Sequence, residues 1–346
     1  MRIANKKINV ENSIFVIAEA GVNYNNKLSL AFKMIDVAKK AGADAIKFQT
    51  FKTENIHLPN SIKPKYQNSL KEKNYFKIIK KLEPSFDDQT KIFNYCKKKK
   101  IIFLSTPYDK ESVDFLTSLD VSAFKISSSD LTNHPFLEYI ASKKKPIIIS
   151  TGLSTSNDVN DAVKLFVNKK LKNKLALLQA TSDYPTSNSD VNLRVITTYK
   201  NKYKIPVGLS DHTQNNIASL GAIALGASIL EKHFTLNRNM AGPDQKSSLE
   251  PHELSEWIKE IRIMEKSLGD KKKFITKSEK QNLSMRKIIA VKPITKGEKI
   301  TKNLILSMRG NKHGILPTNN NLKKIIGKTV NKNIVKPTQF SWNLIS

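Results

Sequence analysis

The sequence predicts a (β/α)8 barrel followed by a small C-terminal domain, and three observations support this prediction. Eight short apolar runs, rich in β-branched residues, each end in charged or hydroxyl side chains. Stretches with helical spacing alternate with these runs, which is typical of a barrel of about 250 residues. Near Arg286 the pattern changes to short runs punctuated by glycine and proline.

The eight apolar runs are the predicted barrel strands. The carboxyl ends of all barrel strands meet at one face, which carries the active site. We therefore expect the polar residues that end the runs to lie close together. The predicted strands are Ile14–Gly21, Ala45–Phe51, Ile101–Pro107, Ala123–Ser128, Pro146–Thr151, Leu175–Thr181, Pro206–His212 and Ala227–Phe234.

The predicted helices have apolar residues at intervals of three or four. The connection Lys52–Leu82, between the second and third strands, is long for a barrel loop, and long loops at the catalytic face are usually functional. We expect it to cover the substrate. The predicted helices are Leu28–Ala41, Phe86–Lys99, Lys110–Leu119, His134–Lys143, Asn157–Asn168, Asn216–Gly226 and His252–Leu268.

The predicted domains are a barrel over residues 1–268, a polar, lysine-rich linker over 269–285 and a small domain over 286–346. A domain of about 60 residues has a thin core and gains stability by docking onto another surface.

The amino-acid composition limits the class of protein to which this chain can belong. The single cysteine, Cys96, excludes an intrachain disulfide, and no apolar run approaches the roughly 18 residues of a membrane span. The net charge of +29 raises the alternative of a nucleic-acid-binding protein without enzymatic activity. Because nucleic-acid surfaces favour arginine and interleaved aromatics, and the charge here is almost all lysine, we expect a cytoplasmic enzyme with neither a nucleic-acid nor a membrane partner.

Strand parity groups several polar residues. Side chains two apart on a strand face the same way, so Lys47 shares a face with Gln49, and Glu231 with His233. A lysine inside a barrel is costly to bury unpaired, which favours a ligand-binding role. The alternative is that Lys47 and Glu231 pair with each other or with outer helices.

Two histidines end the seventh and eighth predicted strands, His212 and His233. Adjacent strands lie about 4.8 Å apart, so both imidazoles can share one divalent metal. A site completed by water and substrate oxygen suits Mn²⁺ or Mg²⁺, with other divalent ions such as Co²⁺ also possible, better than structural zinc. Polar packing is the alternative.

Cations and hydroxyls at the strand ends suit a small substrate with a carboxylate and a phosphate. The chain lacks the glycine-rich dinucleotide and P-loop motifs and the serine-hydrolase elbow. The cations and hydroxyls are Lys47, Lys125, Thr106, Ser128, Ser150, Ser182 and Ser210.

Eight short motifs occur in a fixed order along the chain. They are IAEAGVN at 17–23, GADAIKFQTF at 42–51, STP at 105–107, KISSSD at 125–130, STG at 150–152, GLSDHT at 208–213, EKHFT at 231–235 and GPDQKSSLEP at 242–251. Together they resemble the sialic acid synthase family, including N-acetylneuraminate and N,N'-diacetyllegionaminate synthases. The resemblance covers essentially the whole chain, and the tail resembles the antifreeze-like (SAF) domain of that family.

The resemblance implies that phosphoenolpyruvate condenses with an open-chain N-acetylated hexose, giving a nine-carbon 2-keto acid and phosphate. It implies that Lys47, Thr106 and Lys125 hold the carboxylate side of phosphoenolpyruvate and that His212 and His233 bind the metal. It further implies a domain-swapped homodimer in which Arg309 reaches the sugar in the partner subunit. It places Ser128, Ser150, Ser182 and Ser210 around the phosphate, and Glu19, Gln49, Tyr184 and Asp244 against the sugar.

Departures from the family pattern leave the sugar open. Asp130 ends a KISSSD motif where a GSGE-type ending is usual, Gln179 stands where His is common, and Lys312 and His313 follow Arg309. The N-acetylneuraminate, legionaminate and pseudaminate branches all stay possible. Catalytic roles are expected for Glu19, in proton transfer or sugar orientation, and for the two histidines. A Schiff-base aldolase acting through a barrel lysine is a further alternative.

Overall fold

The structure is a computed structural model that describes residues 1–9, 11, 13–64, 72–281 and 285–346. The chain divides into two compact units, Met1–Gly269 and Asp270–Ser346. Each unit has its own cluster of buried apolar side chains, so each has its own source of hydrophobic stability.

The first unit begins with an antiparallel hairpin of β1 (Arg2–Ile3) and β2 (Lys6–Lys7). Within the described residues, eight parallel strands then close into a barrel, which confirms the predicted (β/α)8 architecture. The strands follow one another around the barrel in chain order, and the last pairs with the first. They are β3 (Phe15–Gly21), β4 (Ala45–Thr50), β5 (Ile102–Pro107), β6 (Phe124–Ile126), β7 (Ile147–Ser150), β8 (Leu175–Ala180), β9 (Val207–Asp211) and β10 (Ile229–His233).

Strand alternation divides the barrel residues into two layers. Val16 and Ala18 pack outward against the helices, whereas Phe15 and Ile17 belong to an inner apolar cluster. Every second residue points inward, so the residue two positions after an inner apolar one faces the barrel interior one layer higher. This places Glu19 above Ile17. The inner cluster consists of Phe15, Ile17, Ala45, Leu104, Ala123, Ile148, Ala176, Leu178 and Ile229, together with Ile3 and Ile8 at the hairpin.

The helices of the first unit include one that the sequence analysis missed, α8. Its Val195–Thr198 run is β-branched and reads as extended chain, but Ile196, Tyr199 and Tyr203 bury one helical face. The helices are α1 (Leu28–Ala41), α2 (Thr53–Ile56), α3 (Tyr75–Leu82), α4 (Phe86–Lys99), α5 (Lys110–Ser118), α6 (His134–Ser142), α7 (Ser156–Asn168), α8 (Arg194–Tyr203), α9 (Ile217–Ala224) and α10 (Pro251–Leu268).

The long connection between β4 and β5 is partly helical rather than a simple loop. It carries the short helices α2 and α3, and its residues 65–71 lie outside the described residues. Glu83 ties the two helices together, since its carboxylate accepts a hydrogen bond of 2.9 Å from the backbone N–H of Thr53 and contacts Lys80 at 2.8 Å. The folded connection therefore has a defined place beside the barrel mouth.

A buried ion pair lies on the outward side of the last two strands. Lys232 Nζ contacts Asp211 Oδ2 at 2.9 Å and donates to the carbonyl of Asn215 at 3.0 Å, and both charged side chains are at most 2% exposed. Asp211 also accepts from the hydroxyls of Thr213 and Ser219. The pair thus anchors the loop that follows β9 at the catalytic face.

The second unit holds a three-stranded antiparallel sheet of β11 (Arg286–Ala290), β12 (Ile305–Arg309) and β13 (Thr338–Gln339), with β11 in the middle. Its helices are α11 (Lys277–Gln281), which lies within the predicted linker, and α12 (Asn319–Ile325). Ile288, Ile300 and Phe340 are among its buried core residues. Among the described residues of both units, no helix is long and apolar enough to cross a membrane.

We expect the Lys232→Met variant to lower the free energy of unfolding of the first unit by about 3–5 kcal/mol, because it leaves Asp211 as an uncompensated buried charge. Urea unfolding followed by circular dichroism measures this. The matched control is Lys164→Met, which removes an exposed ion pair with Asp161 at 3.2 Å and should change little. If both variants lowered the free energy of unfolding by the same small amount, the buried pair of Lys232 and Asp211 would not have the predicted role in stability.

Candidate active site

A cavity of about 910 Å³ opens at the carboxyl ends of the barrel strands. It gathers the predicted site residues of the first unit, although they come from seven of the eight barrel strands and several loops. Arg309 belongs to the second unit, where its exposed side chain ends β12. The predicted residues that line the cavity are Glu19, Lys47, Gln49, Thr106, Lys125, Ser128, Ser150, Ser182, Tyr184, Ser210, His212, His233 and Asp244.

At the cavity floor, Lys47 lies between two carboxylates. Its Nζ is 3.1 Å from Glu19 Oε2 and 3.6 Å from Glu231 Oε2, and it donates to the hydroxyl of Thr106 at 3.2 Å. Burial alone would lower the pKa of Lys47, but the charges of Glu19 and Glu231 raise it. Lys47 and Glu231 therefore do pair with each other, which was one of the alternatives in the sequence analysis. The pair lines a cavity and is not enclosed in the apolar core.

Lys125 is the second buried cation of the floor. It donates to Ser150 Oγ at 2.6 Å and lies 3.5 Å from Glu231 Oε1. Burial lowers the pKa of Lys125 to about 8, with the charge of Lys47 acting in the same direction and Glu231 opposing it. An anion that enters the cavity would favour the charged form of this lysine.

The two carboxylates of the floor have opposite tendencies. Burial raises the pKa of Glu19 to about 8, because the opposing charge of Lys47 does not outweigh desolvation. Burial would also raise the pKa of Glu231, but the charges of Lys125 and Lys47 lower it to about 2. At neutral pH, Glu231 is therefore an anion, whereas the raised pKa of Glu19 favours its protonated form.

The two histidines are neighbours in the cavity lining, with ring centroids 5.8 Å apart. His212 Nδ1 donates to the carbonyl of Thr181 at 2.7 Å, which leaves Nε2 with the lone pair. Ser210 Oγ lies 3.3 Å from that Nε2 but donates its one proton to Glu231 at 3.0 Å. The lone pair of His212 is thus available to a ligand.

Both imidazoles are neutral at physiological pH. Burial lowers the pKa of His212 to about 4 and that of His233 to about 3. His233 Nδ1 is buried without a hydrogen-bond partner among the described residues. Neutral imidazoles with available nitrogens fit a divalent metal. Within the part of the chain that the structure describes, no group of three or more His, Cys, Asp or Glu forms a metal-binding cluster.

Hydroxyl groups line the side of the cavity beside Lys125. Ser128 Oγ accepts from the backbone N–H of Gly152 at 3.0 Å. A side chain at Gly152 would collide with this cluster, since a Cβ there would lie 2.3 Å from Ser182 Oγ and 2.9 Å from Ser128 Oγ. Glycine therefore lets the two serines approach each other, and the resulting group of hydroxyls beside a lysine suits an oxyanion.

Another glycine organises the opposite side. Gly21 has a φ of 52° at a register shift after Glu19. A Cβ placed there would lie 3.4 Å from Glu19 Oε1, 3.5 Å from Gln49 Nε2 and 3.7 Å from His233 Cε1. These three side chains therefore converge on one spot beside the backbone.

Some lining residues were absent from the predicted set. Burial raises the pKa of Asp130 to about 6 and raises that of Tyr108 well above its ordinary value. Tyr108 directly follows the predicted strand end at Pro107, and Asp130 lies two residues after the predicted strand end at Ser128, so a rule extended by two residues would have selected both. Glu231 was weighed but omitted, although its spacing from His233 placed both on one face. His57 comes from the long connection, whose folding no strand pattern indicates.

Comparison with known proteins identifies the family. Residues 34–273 match the model of the NeuB family. The N,N'-diacetyllegionaminic acid synthase of Campylobacter jejuni is 40% identical over 299 residues, which cover 85% of this chain and 90% of that protein. The enzyme of the same name from Legionella pneumophila is 37% identical, over 96% of this chain and 94% of its own.

A solved structure agrees with this match. The N-acetylneuraminic acid (sialic acid) synthetase of Leptospira borgpetersenii, determined in complex with citrate, superposes with a TM-score of 0.72 at 35% identity, covering 82% of this chain and 94% of that one. The barrel, the convergent residues at its mouth and these matches lead to one conclusion. The chain belongs to the NeuB family of sialic acid synthases.

Proposed function

We propose that this chain condenses phosphoenolpyruvate with an open-chain N-acetylated hexose, forming a nine-carbon 2-keto acid and releasing phosphate. One observation carries the proposal. A single cavity holds two buried lysines and a group of serine hydroxyls beside two neutral histidines. The lysines and hydroxyls suit a small molecule with a carboxylate and a phosphate. The two histidines suit a metal next to a carbonyl oxygen.

In this proposal, phosphoenolpyruvate occupies the lysine side of the cavity. Lys47, Thr106 and Lys125 hold its carboxylate side. Its negative charges replace Glu19 and Glu231 as partners of the lysines, so the cations keep counter-charges throughout. The hydroxyls that surround its phosphate are those of Ser128, Ser150, Ser182 and Ser210.

His212 and His233 would hold a divalent ion, Mn²⁺ in our proposal, although Mg²⁺ or Co²⁺ suits the same donors. When bound, the ion supplies Lewis-acid polarisation of the sugar aldehyde. The hydrogen bond from His212 Nδ1 to Thr181 fixes the ring so that Nε2 faces the cavity.

The chemistry then requires proton transfer at two places. C3 of phosphoenolpyruvate attacks the aldehyde carbon, water adds at C2, and the tetrahedral intermediate expels phosphate by cleavage of its C–O bond. The new hydroxyl needs a proton, and the water that adds at C2 releases one. Glu19, whose pKa is raised to about 8 by burial, is our candidate donor to the new hydroxyl. Gln49, Tyr184 and Asp244 would orient the sugar.

The second unit completes the proposal. We propose that it is an antifreeze-like SAF domain and that the enzyme is a cytoplasmic homodimer, in which Arg309 reaches the sugar in the partner subunit. The motif around Arg309 supports this assignment by its resemblance to the family tail. The N-acetylneuraminate, legionaminate and pseudaminate branches differ only in the sugar supplied to this site.

The direct test is phosphate release. With Mn²⁺, phosphoenolpyruvate and either N-acetylmannosamine or 2,4-diacetamido-2,4,6-trideoxymannose, we expect stoichiometric phosphate and a nine-carbon keto acid detected by mass spectrometry. Isotope from ¹⁸O-labelled water should appear at C2 of the product rather than in phosphate, because the C–O bond breaks. Label in the phosphate would contradict the mechanism.

We expect His212→Ala to lower kcat at least about 100-fold, since one of the two proposed metal ligands is lost. Binding of phosphoenolpyruvate, measured by calorimetry, should change little. His134→Ala is the control, because His134 is exposed at the start of α6 and lies outside the cavity lining. Unchanged turnover in His212→Ala would show that His212 is not a required metal ligand.

The pH dependence follows from Lys125. Its pKa in the free enzyme is lowered to about 8, so it is charged below that pH and neutral above it. Affinity for an anion therefore falls as the pH rises through about 8, and we expect kcat/KM for phosphoenolpyruvate to decline there. In Lys125→Arg the decline should disappear, because arginine stays charged. Persistence of the same limb would assign it to another group.

A further inference from the structure

The position of the Asp244 carboxyl group in the cavity depends on the backbone that carries it. Asp244 belongs to the β10–α10 loop, residues 236–248, and lines the cavity. Burial raises the pKa of Asp244 to about 6, and no described residue holds its carboxyl group by a hydrogen bond or an ion pair. The carboxyl group is therefore available to a ligand, but only where the loop places it.

The two ends of the β10–α10 loop lie side by side. The backbone N–H of Thr235 donates to the carbonyl of Leu249 at 2.8 Å, and the N–H of Leu249 donates to the carbonyl of His233 at 2.9 Å. These bonds fix where the loop leaves and rejoins the barrel. They do not fix the residues between, which include Asp244.

The side chain of Gln245 fixes the loop next to Asp244. It is fully buried, and both ends of its amide form hydrogen bonds. Its Oε1 accepts from the hydroxyl of Thr235, and its Nε2 donates to the carbonyl of Asn23 at 2.9 Å. Thr235 follows β10 and Asn23 follows β3, and these two strands pair in the barrel. Gln245 therefore joins the loop to the ends of two neighbouring strands.

A hydroxyl group fixes the backbone of Asp244 itself. Ser248 Oγ donates to the carbonyl of Asp244 at 2.6 Å and accepts from Asn23 Nδ2 at 2.9 Å. The same Asn23 nitrogen donates to the carbonyl of Phe234 at 2.9 Å. Asn23 and Ser248 are each at most 1% exposed, so these hydrogen bonds form away from water, where they are stronger.

This buried network connects the elements that carry three proposed site residues. One end of it follows β3, which carries Glu19, and another follows β10, which ends at His233. The third element is the loop with Asp244. Side chains that bind one ligand together have to keep their relative positions to within about 0.5 Å, and supporting hydrogen bonds provide this precision.

Resting on the function proposed above, we propose that Gln245 and Ser248 are positioning residues for the hexose. They act through Asp244, because they fix its backbone and thereby the place where its carboxyl group meets the sugar. Neither Gln245 nor Ser248 lines the cavity, so neither contacts a substrate itself.

The test compares KM for the two substrates in Gln245→Met and Ser248→Ala. The hexose is N-acetylmannosamine or 2,4-diacetamido-2,4,6-trideoxymannose, whichever the wild-type protein turns over faster. We expect KM for the hexose to rise about 10-fold in each variant, because the carboxyl group is misplaced. KM for phosphoenolpyruvate should stay within about 2-fold of the wild-type value, which also shows that the variants are folded. Ser248→Ala removes only a hydroxyl group and decides the test alone should Gln245→Met not fold.

Ser228→Ala is the matched control for Ser248→Ala. Ser228 is also 1% exposed, and its hydroxyl also donates to a backbone carbonyl, that of Val207 at 3.1 Å. It precedes β10 at the opposite end of the barrel from the cavity. We expect KM for both substrates to be unchanged in this variant.

A double-mutant cycle separates positioning from a general effect on the fold. Asp244→Ala alone should raise KM for the hexose. Addition of Gln245→Met to Asp244→Ala should raise it no further, because the carboxyl group that Gln245 positions is already gone.

The outcomes separate this inference from the proposed function. Additive effects in the double variant, or equal increases in KM for both substrates, would overturn the inference and leave the synthase assignment intact. An unchanged KM for the hexose in both single variants would do the same. An unchanged KM for the hexose in Asp244→Ala would remove the proposed sugar contact and the inference with it. Absence of phosphate release by the wild-type protein with either sugar would overturn the proposed function.

Discussion

Four ionisable side chains are buried at the centre of the barrel mouth, and the rest of the site depends on how they pair with one another. Glu19, Lys47, Lys125 and Glu231 are each at most 4% exposed, and every one has an opposite charge within 3.6 Å. An isolated charge at this depth would cost several kcal/mol, so each is tolerable only because the others are present. Their positions follow from strand alternation, since each lies two residues above an apolar residue of the inner cluster.

This arrangement also prepares the cavity for an anion. Before a substrate enters, each lysine lies beside at least one carboxyl group, so neither lysine is without a polar partner. In the proposed reaction, phosphoenolpyruvate displaces the carboxylates, whose fates then differ. Glu231 retains the hydroxyl of Ser210 as a donor at 3.0 Å, whereas burial favours the protonated form of Glu19, which needs no counter-charge. The residue released by substrate binding is thus the one placed to supply a proton.

Local pattern predicted the strands and most of the site, because period-two alternation fixes both which residues face inward and where each strand ends. Lys47, Lys125 and His212 are found by this rule alone. Each buried charge pairs with a residue from a strand that can be far away in sequence. The sequence alone therefore did not settle whether Glu231 pairs with Lys47 or with an outer helix. The small hydrophobic cluster of Val22, Phe51, Ile78 and Leu82 could not be predicted from strand alternation, since it depends on how the β4–β5 connection packs. The roles of individual residues came from family resemblance.

Burial of the cavity floor affects both the proposed binding of phosphoenolpyruvate and the proposed binding of a metal. The burial that makes the lysines strong partners for an anion also keeps His212 and His233 neutral, with the nearby lysines acting in the same direction. A shallower cavity would allow the imidazoles to protonate, and they would lose the lone pairs that a metal requires. It would also screen the lysines with water and weaken their hold on phosphoenolpyruvate.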